Sequence, residues 1–295
     1  MTMFEHAVRT VASTNGVAVV VYEESASDPT VGHRPIVFSH ATGFHGRVFS
    51  PVARRLSDFP RITFDYRGYG DTAAPTGWAL SWEGFGDDAL VVARDTWARY
   101  GRRPVIAAGH SMGGAGLVMA ALREPQLFAA LVLFEPIIFP PEVQAQAGKS
   151  SPLAEVTRRR RRTFASHGEA LANFAAKPPL ATLDAEALEA YVRHGFANDA
   201  SGVRLKCDPE FEARTYEMGA QHGTWSRLGE LVVPTWIMAG SFAPNSPAAI
   251  APRLHELIPN STFVEWSDRG HFGPLEDPAR FAAFLEDIAS QIADS

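Results

Sequence analysis

Apolar residues recur along this chain with two alternating periods, and the alternation predicts an α/β protein. The chain opens with β-branched runs, Ala7 to Ser13 and Val17 to Tyr22, around Asn15-Gly16. That dipeptide favours positive φ at both central positions, so the pattern predicts a hairpin with a type I′ turn. Short apolar runs then alternate with helical ones. Strands are expected at Pro35-Ile36-Val37-Phe38, Arg61 to Phe64, Val105 to Ala108, Leu131 to Phe134, Thr235 to Met238 and Thr262 to Val264. Helices are expected at Val48 to Leu56, Trp82 to Tyr100, after Gly114, near Ala248 to Leu257, and at Pro278 to Ile292. Strand–helix alternation of this kind implies a mainly parallel, doubly wound sheet. The opening hairpin supplies its antiparallel edge.

The alternation breaks between about Pro140 and Trp225. Helix-like runs fill that gap, at Leu153 to Ser166, Glu169 to Ala175, Ala185 to Gly195 and Glu210 to Gln221. The pattern predicts a helical cap over residues 140–225, inserted into a core made of 1–139 and 226–295. Such a cap would sit over the carboxyl ends of the strands, where open α/β sheets bind ligands. The run Arg158 to Arg162 falls in this region and reads as the solvated face of a cap helix. A nuclear-localisation patch and an anion-binding rim are its weaker alternatives.

One motif gives this pattern a chemistry. Gly109-His110-Ser111-Met112-Gly113 fits G-x-S-x-G between an apolar strand and a small-residue helix. A serine at so sharp a turn holds its hydroxyl clear of the sheet, with a helix N-terminus behind it. An activated serine needs a base, a group to orient the base, and donors for the oxyanion. His271, in Gly270-His271-Phe272 between the last strand and the last helix, is the expected base. His110 is expected to point away from the nucleophile, and His40 and His45 to shape a loop. That loop, His40-Ala41-Thr42-Gly43-Phe44, is expected to give one oxyanion amide, from Thr42 or else Gly43. Met112, following the nucleophile, gives the other.

Five features resemble the α/β-hydrolase fold family: His40 to Phe44, Asp65-Tyr66-Arg67-Gly68-Tyr69-Gly70, the serine turn, Gly270-His271-Phe272 and Glu276-Asp277-Pro278. The resemblance implies an eight-stranded, mostly parallel sheet with a cap, and a serine hydrolase acting through an acyl-enzyme. Arg158 to Ala175, Lys177-Pro178-Pro179 and Tyr191 to Gly195 resemble esterase- or lipase-like members, including a fungal peroxisomal lipase-like branch. In most serine members an aspartate follows the strand matching Thr235 to Met238. Here the stretch Ala239 to Asn245 has no acidic residue. A minority of members carry the acid one strand earlier, where this chain has Glu135, 24 residues beyond Ser111. Asp268 is its rival, and Asp65 and Asp71 are expected to brace loops.

Phe44, Phe139, Trp225 and Phe242, with Met112, are the expected pocket residues. Their character suggests a small-molecule, mainly apolar acyl substrate. The same residues would also serve lactone, thioester or carbon–carbon bond hydrolysis. A ligand-binding protein without turnover is the alternative of a different class. The rest of the composition narrows the setting. A formal net charge of −6 gives no reason to expect nucleic-acid binding. No His and carboxylate pair has convincing metal-ligand spacing, so neither metal nor cofactor is expected. Cys207 is the single cysteine, the first residues do not read as a signal peptide, and no apolar run approaches a membrane span. A cytoplasmic protein is the expectation.

Overall fold

The structure, a computed structural model, describes residues 7–26, 32–144, 151–243 and 246–293. Eight strands form one sheet: β1 (Ala7–Ala12), β2 (Ala18–Glu24), β3 (Ile36–Ser39), β4 (Arg61–Phe64), β5 (Val105–His110), β6 (Phe128–Phe134), β10 (Thr235–Ala239) and β11 (Ser261–Glu265). Their order is β1-β2-β4-β3-β5-β6-β10-β11. The pairings β1/β2 and β2/β4 are antiparallel, and the rest are parallel. The β1–β2 turn has Asn15 at φ 59° and Gly16 at φ 73°, the signs that the Asn-Gly pair was expected to supply.

Side-chain alternation divides the core into two layers. Val37, Leu131 and Leu133 face one side of the sheet, and Ile36, Phe38, Val132 and Phe134 face the other. The first layer is covered by the helices Trp82–Arg99, Met112–Ala121 and Ala251–Leu257. The second is covered by Ser50–Ala53 and Pro278–Ala293. This is the doubly wound arrangement that the alternation predicts.

Between β6 and β10 lie the helices Pro152–Arg158, His167–Ala175, Ala185–Gly195 and Pro209–Met218. They are joined by a second sheet that the helical pattern did not predict. It consists of β7 (Thr163–Phe164), β8 (Phe196–Asp199) and β9 (Gly202–Leu205), paired antiparallel in the order β7-β9-β8. Phe164, Phe174, Tyr191, Phe196 and Leu205 run on from the second core layer, so this inserted segment shares a hydrophobic core with the main sheet. The arginine run also differs from a solvated helix face. The helix ends at Arg158, and Arg160 turns inward onto Glu212. Among the described residues, no helix is long and apolar enough to cross a membrane.

Candidate active site

Ser111 stands between β5 and the helix Met112–Ala121 at φ 56°, ψ −117°, a strained position for a residue with a side chain. Two backbone bonds hold it there. Its amide donates to Phe134 O at 3.0 Å, and its carbonyl accepts from Ile137 N at 3.1 Å. The flanking glycine is required by close packing. A Cβ at Gly113 would lie 2.3 Å from Ser39 O and 2.6 Å from His40 O. The serine turn is thus fastened to the ends of β3 and β6 together.

Glu135 occupies the first position after β6, with φ 44° and about 1% exposure. Its amide donates to Met238 O at 2.9 Å, and Gly240 N donates to its Oε1 at 2.9 Å. The other carboxylate oxygen, Oε2, accepts from His271 Nδ1 at 2.6 Å. A contact that short from a buried carboxylate fixes the ring orientation and the tautomer, leaving Nε2 to act on a proton. Asp268, the rival acid, is exposed and pairs with Arg269 at 2.9 Å and Arg280 at 2.8 Å. The ring of His271 lies 4.8 Å from that of His110, beside Ser111. No hydrogen bond joins Ser111 Oγ to His271 among the described residues; in ligand-free sites this bond is often long and tightens on substrate.

His110, whatever its side relative to Ser111, has a second neighbour in the candidate base. It is about 1% exposed and packs on His271 and Phe272. Burial, with the neighbouring His271 adding to it, pushes its pKa well below the ordinary imidazole value. A neutral ring therefore backs the candidate base. His40 and His45 behave as loop braces. His40 Nε2 accepts from Tyr66 N at 3.1 Å while its Nδ1 donates to Ala41 O at 2.8 Å. His45 Nε2 donates to Tyr191 O at 3.2 Å. Burial lowers each to a pKa of about 4. Asp65 likewise braces, accepting from Tyr22 OH, Gly46 N and Asp71 N at 2.7–2.8 Å.

The loop His40 to Phe44 turns back at Gly43, with φ 81° and Phe44 N bonded to Ala41 O at 3.2 Å. The amides of Thr42, Gly43 and Met112 donate to no group among the described residues. The fold thus gathers a strained serine, a histidine held by a buried carboxylate, and unpaired amides at the carboxyl edge of one sheet.

A profile described as "Alpha/beta hydrolase family" matches residues 36–284. The chain belongs to the alpha/beta hydrolase family. A stretch of 140 residues is 27% identical to the abhydrolase domain-containing protein ACTT2 of Alternaria alternata, covering 47% of this chain and 48% of that one. Another of 113 residues is 30% identical to the monoglyceride lipase of Homo sapiens, covering 37% of each. The chain spans about half the length, or less, of these curated relatives. In fold, it is similar to the peroxisomal alpha-beta-hydrolase Lpx1 of Saccharomyces cerevisiae, with a TM-score of 0.78 at 17% identity, over 99% of this chain and 89% of that one.

In this alpha/beta hydrolase a chamber of about 550 Å³ opens against the loop Thr42 to Phe44 and against Phe272, the neighbour of His271. Thr42, Gly43, Phe44 and Phe272 form its floor, and Phe174 and Tyr191 of the inserted segment stand among its walls. Phe44 stacks edge-on with Tyr191 at 5.3 Å. Of the aromatic residues expected to line a pocket, Phe44 does so here, and Phe139, Trp225 and Phe242 lie outside this chamber. Trp225 packs on the first core layer with the Arg253 guanidinium 5.0 Å from its ring. Phe242 is half exposed beside Phe263. Pro244 and Asn245, at the end of the stretch without an acid, are outside the described residues. Sequence reasoning missed Tyr191, Phe174 and Arg160. Their apolar or charged neighbours gave each the look of an ordinary helix residue.

Proposed function

We propose that the protein is a serine hydrolase that cleaves a small carboxylic ester through an acyl-enzyme. The observation that carries this reading is the 2.6 Å contact between His271 Nδ1 and the buried Glu135 carboxylate, at the mouth of the serine turn. A buried carboxylate aimed at an imidazole beside a strained serine is an arrangement with a purpose in acyl transfer.

In this mechanism His271 Nε2 takes the Ser111 hydroxyl proton as Oγ attacks the ester carbonyl. The amides of Thr42 and Met112 hold the developing oxyanion. Protonated His271 then gives its proton to the leaving alcohol. Water, deprotonated by the same nitrogen, hydrolyses the acyl-enzyme and restores Ser111. Glu135 holds Nδ1 throughout and stabilises the imidazolium. We read residues 140–225 as the cap over this site. Its aromatic lining supports a substrate with an apolar body.

The test compares initial rates on p-nitrophenyl butyrate for wild type and Ser111→Ala, together with labelling by a fluorophosphonate. A serine-dependent rate, with one label per chain on Ser111, is expected. Equal rates in both proteins and no label on Ser111 would overturn the reading.

A further inference from the structure

The chamber against the Thr42 to Phe44 loop is charged as well as aromatic. Its lining contains four cationic side chains, Arg159, Arg160, Arg161 and Lys177, and one carboxylate, Glu212. This local positive excess stands on a chain whose formal net charge is −6. Two of the four cations are held by partners outside the lining. Arg159 meets Glu155 at 3.4 Å, and Arg161 meets Glu169 at 2.8 Å. All four of those side chains are well exposed, and such pairs hold their members weakly.

The other two differ. Arg160 is locked, its NH1 donating to both Glu212 oxygens at 2.8 Å and its NH2 to Tyr191 OH at 2.8 Å. Its Nε is buried and has no hydrogen-bond partner. Lys177 Nζ donates to the neutral Asn173 Oδ1 at 2.9 Å, and it makes no ion pair among the described residues. The chamber therefore carries an ammonium without a counter-ion and a fixed guanidinium edge, set among Phe44, Phe174 and Phe272.

We propose that this chamber receives a carboxylate carried by the substrate, so that the preferred ester has an apolar body ending in an acid group. Lys177 supplies the charge that pairs with it, and Arg160, held by Glu212, gives the wall its fixed positive edge. Lys177 is exposed and stands at the chamber's rim, so its ammonium is reachable by a carboxylate whose apolar body lies among the chamber's aromatic rings. The inference rests on the ester-hydrolase reading, and its test separates the two.

The experiment measures kcat/KM on two matched pairs of esters. In the first, p-nitrophenyl hydrogen glutarate is compared with p-nitrophenyl valerate, which places the acid on the acyl side. In the second, 4-acetoxybenzoate is compared with its methyl ester, which places it on the alcohol side. The acid-ended member of one pair is expected to lead by about tenfold or more, as one charge-assisted hydrogen bond provides. Lys177→Met should reduce that acid-to-neutral ratio about tenfold, mostly through KM, and high salt should narrow it in wild type. Ratios at or below one in both pairs, or a ratio untouched by Lys177→Met, would overturn the proposal. If no ester is turned over, the hydrolase reading fails by itself. Calorimetry of 4-acetoxybenzoate with Ser111→Ala then decides the chamber: binding lost in Ser111→Ala/Lys177→Met supports it, and no binding to Ser111→Ala overturns it.

Discussion

Glu135 spends both carboxylate oxygens on fixed donors, one on the Gly240 amide and one on His271. Replacing it with glutamine keeps an oxygen for Gly240 and removes the charge that stabilises imidazolium. Glu135→Gln is therefore expected to lower kcat by about 10³–10⁴-fold while the thermal midpoint stays near wild type. Rates within a few-fold of wild type would show that another group orients His271. The residue was legible before the fold because an expected acid was missing after one strand and an acid stood at the end of its neighbour. β6 and β10 are adjacent and parallel, so both ends reach the same loop. His110 was not legible in this way. Strand alternation puts it on the face of Ile106 and Ala108, beside Phe134, and it is the long-range return of the last loop that brings His271 onto the same ring.

At the scale of elements, the serine turn is a junction of three segments, and its tolerance for added atoms is small. Gly113→Ala would drive a methyl group into the backbone carbonyls of Ser39 and His40, which cannot rotate away. A loss of about 1–3 kcal/mol is expected from overpacking of this kind, together with loss of the Ser111 label. Denaturant titration and labelling rate measure the two effects, and a variant with wild-type values in both would contradict the packing. The parallel sheet was readable because long apolar runs separated by helices have few other solutions. The small sheet was not. Strands β8 and β9 have four residues each and mix Asn, Asp and Arg with apolar residues. Their only signal is the turn cluster Asn198 to Gly202, and tertiary contact through Phe196 and Leu205 does the rest. Arg160, two residues beyond the helix that ends at Arg158, turns inward onto Glu212 and Tyr191, which no helical periodicity encodes.

Across the whole molecule, buried charge sets the stability. Arg67 and Asp88 are both fully buried and joined at 2.7–3.0 Å, with Ser13 and Thr14 of the β1–β2 turn donated to or bonded alongside. This cluster ties the antiparallel edge to the helix Trp82–Arg99. Asp88→Ala would strand a guanidinium in the core, and a loss of about 3–5 kcal/mol is expected by chemical denaturation. The buried histidines set the response to acid. His40 and His45 are lowered from 6.5 to about 4, so between those values the unfolded chain binds protons that the folded one refuses. Stability is then complete above about pH 6.5 and falls as pH drops towards 4, by on the order of 3 kcal/mol for each histidine. Asp65, whose carboxyl is raised by burial, works in the opposite sense over part of that range. The urea midpoint should be lower at pH 5 than at pH 7.5, and an equal midpoint would mean that these rings are not held neutral.

With the candidate acid seated at the end of β6, the loop beyond β10 is tied to the candidate site by Gly240 N on Glu135 and by Ser241 N on Arg269 O. Phe242 and Ala243, exposed beyond these two bonds, are a natural port for engineering, where a tag, a reporter or a new recognition loop could be spliced in. An insertion of several Gly-Ser residues after Ala243 should leave the rate of Ser111 labelling close to that of the parent protein, whereas the same insertion after Glu135 should abolish it.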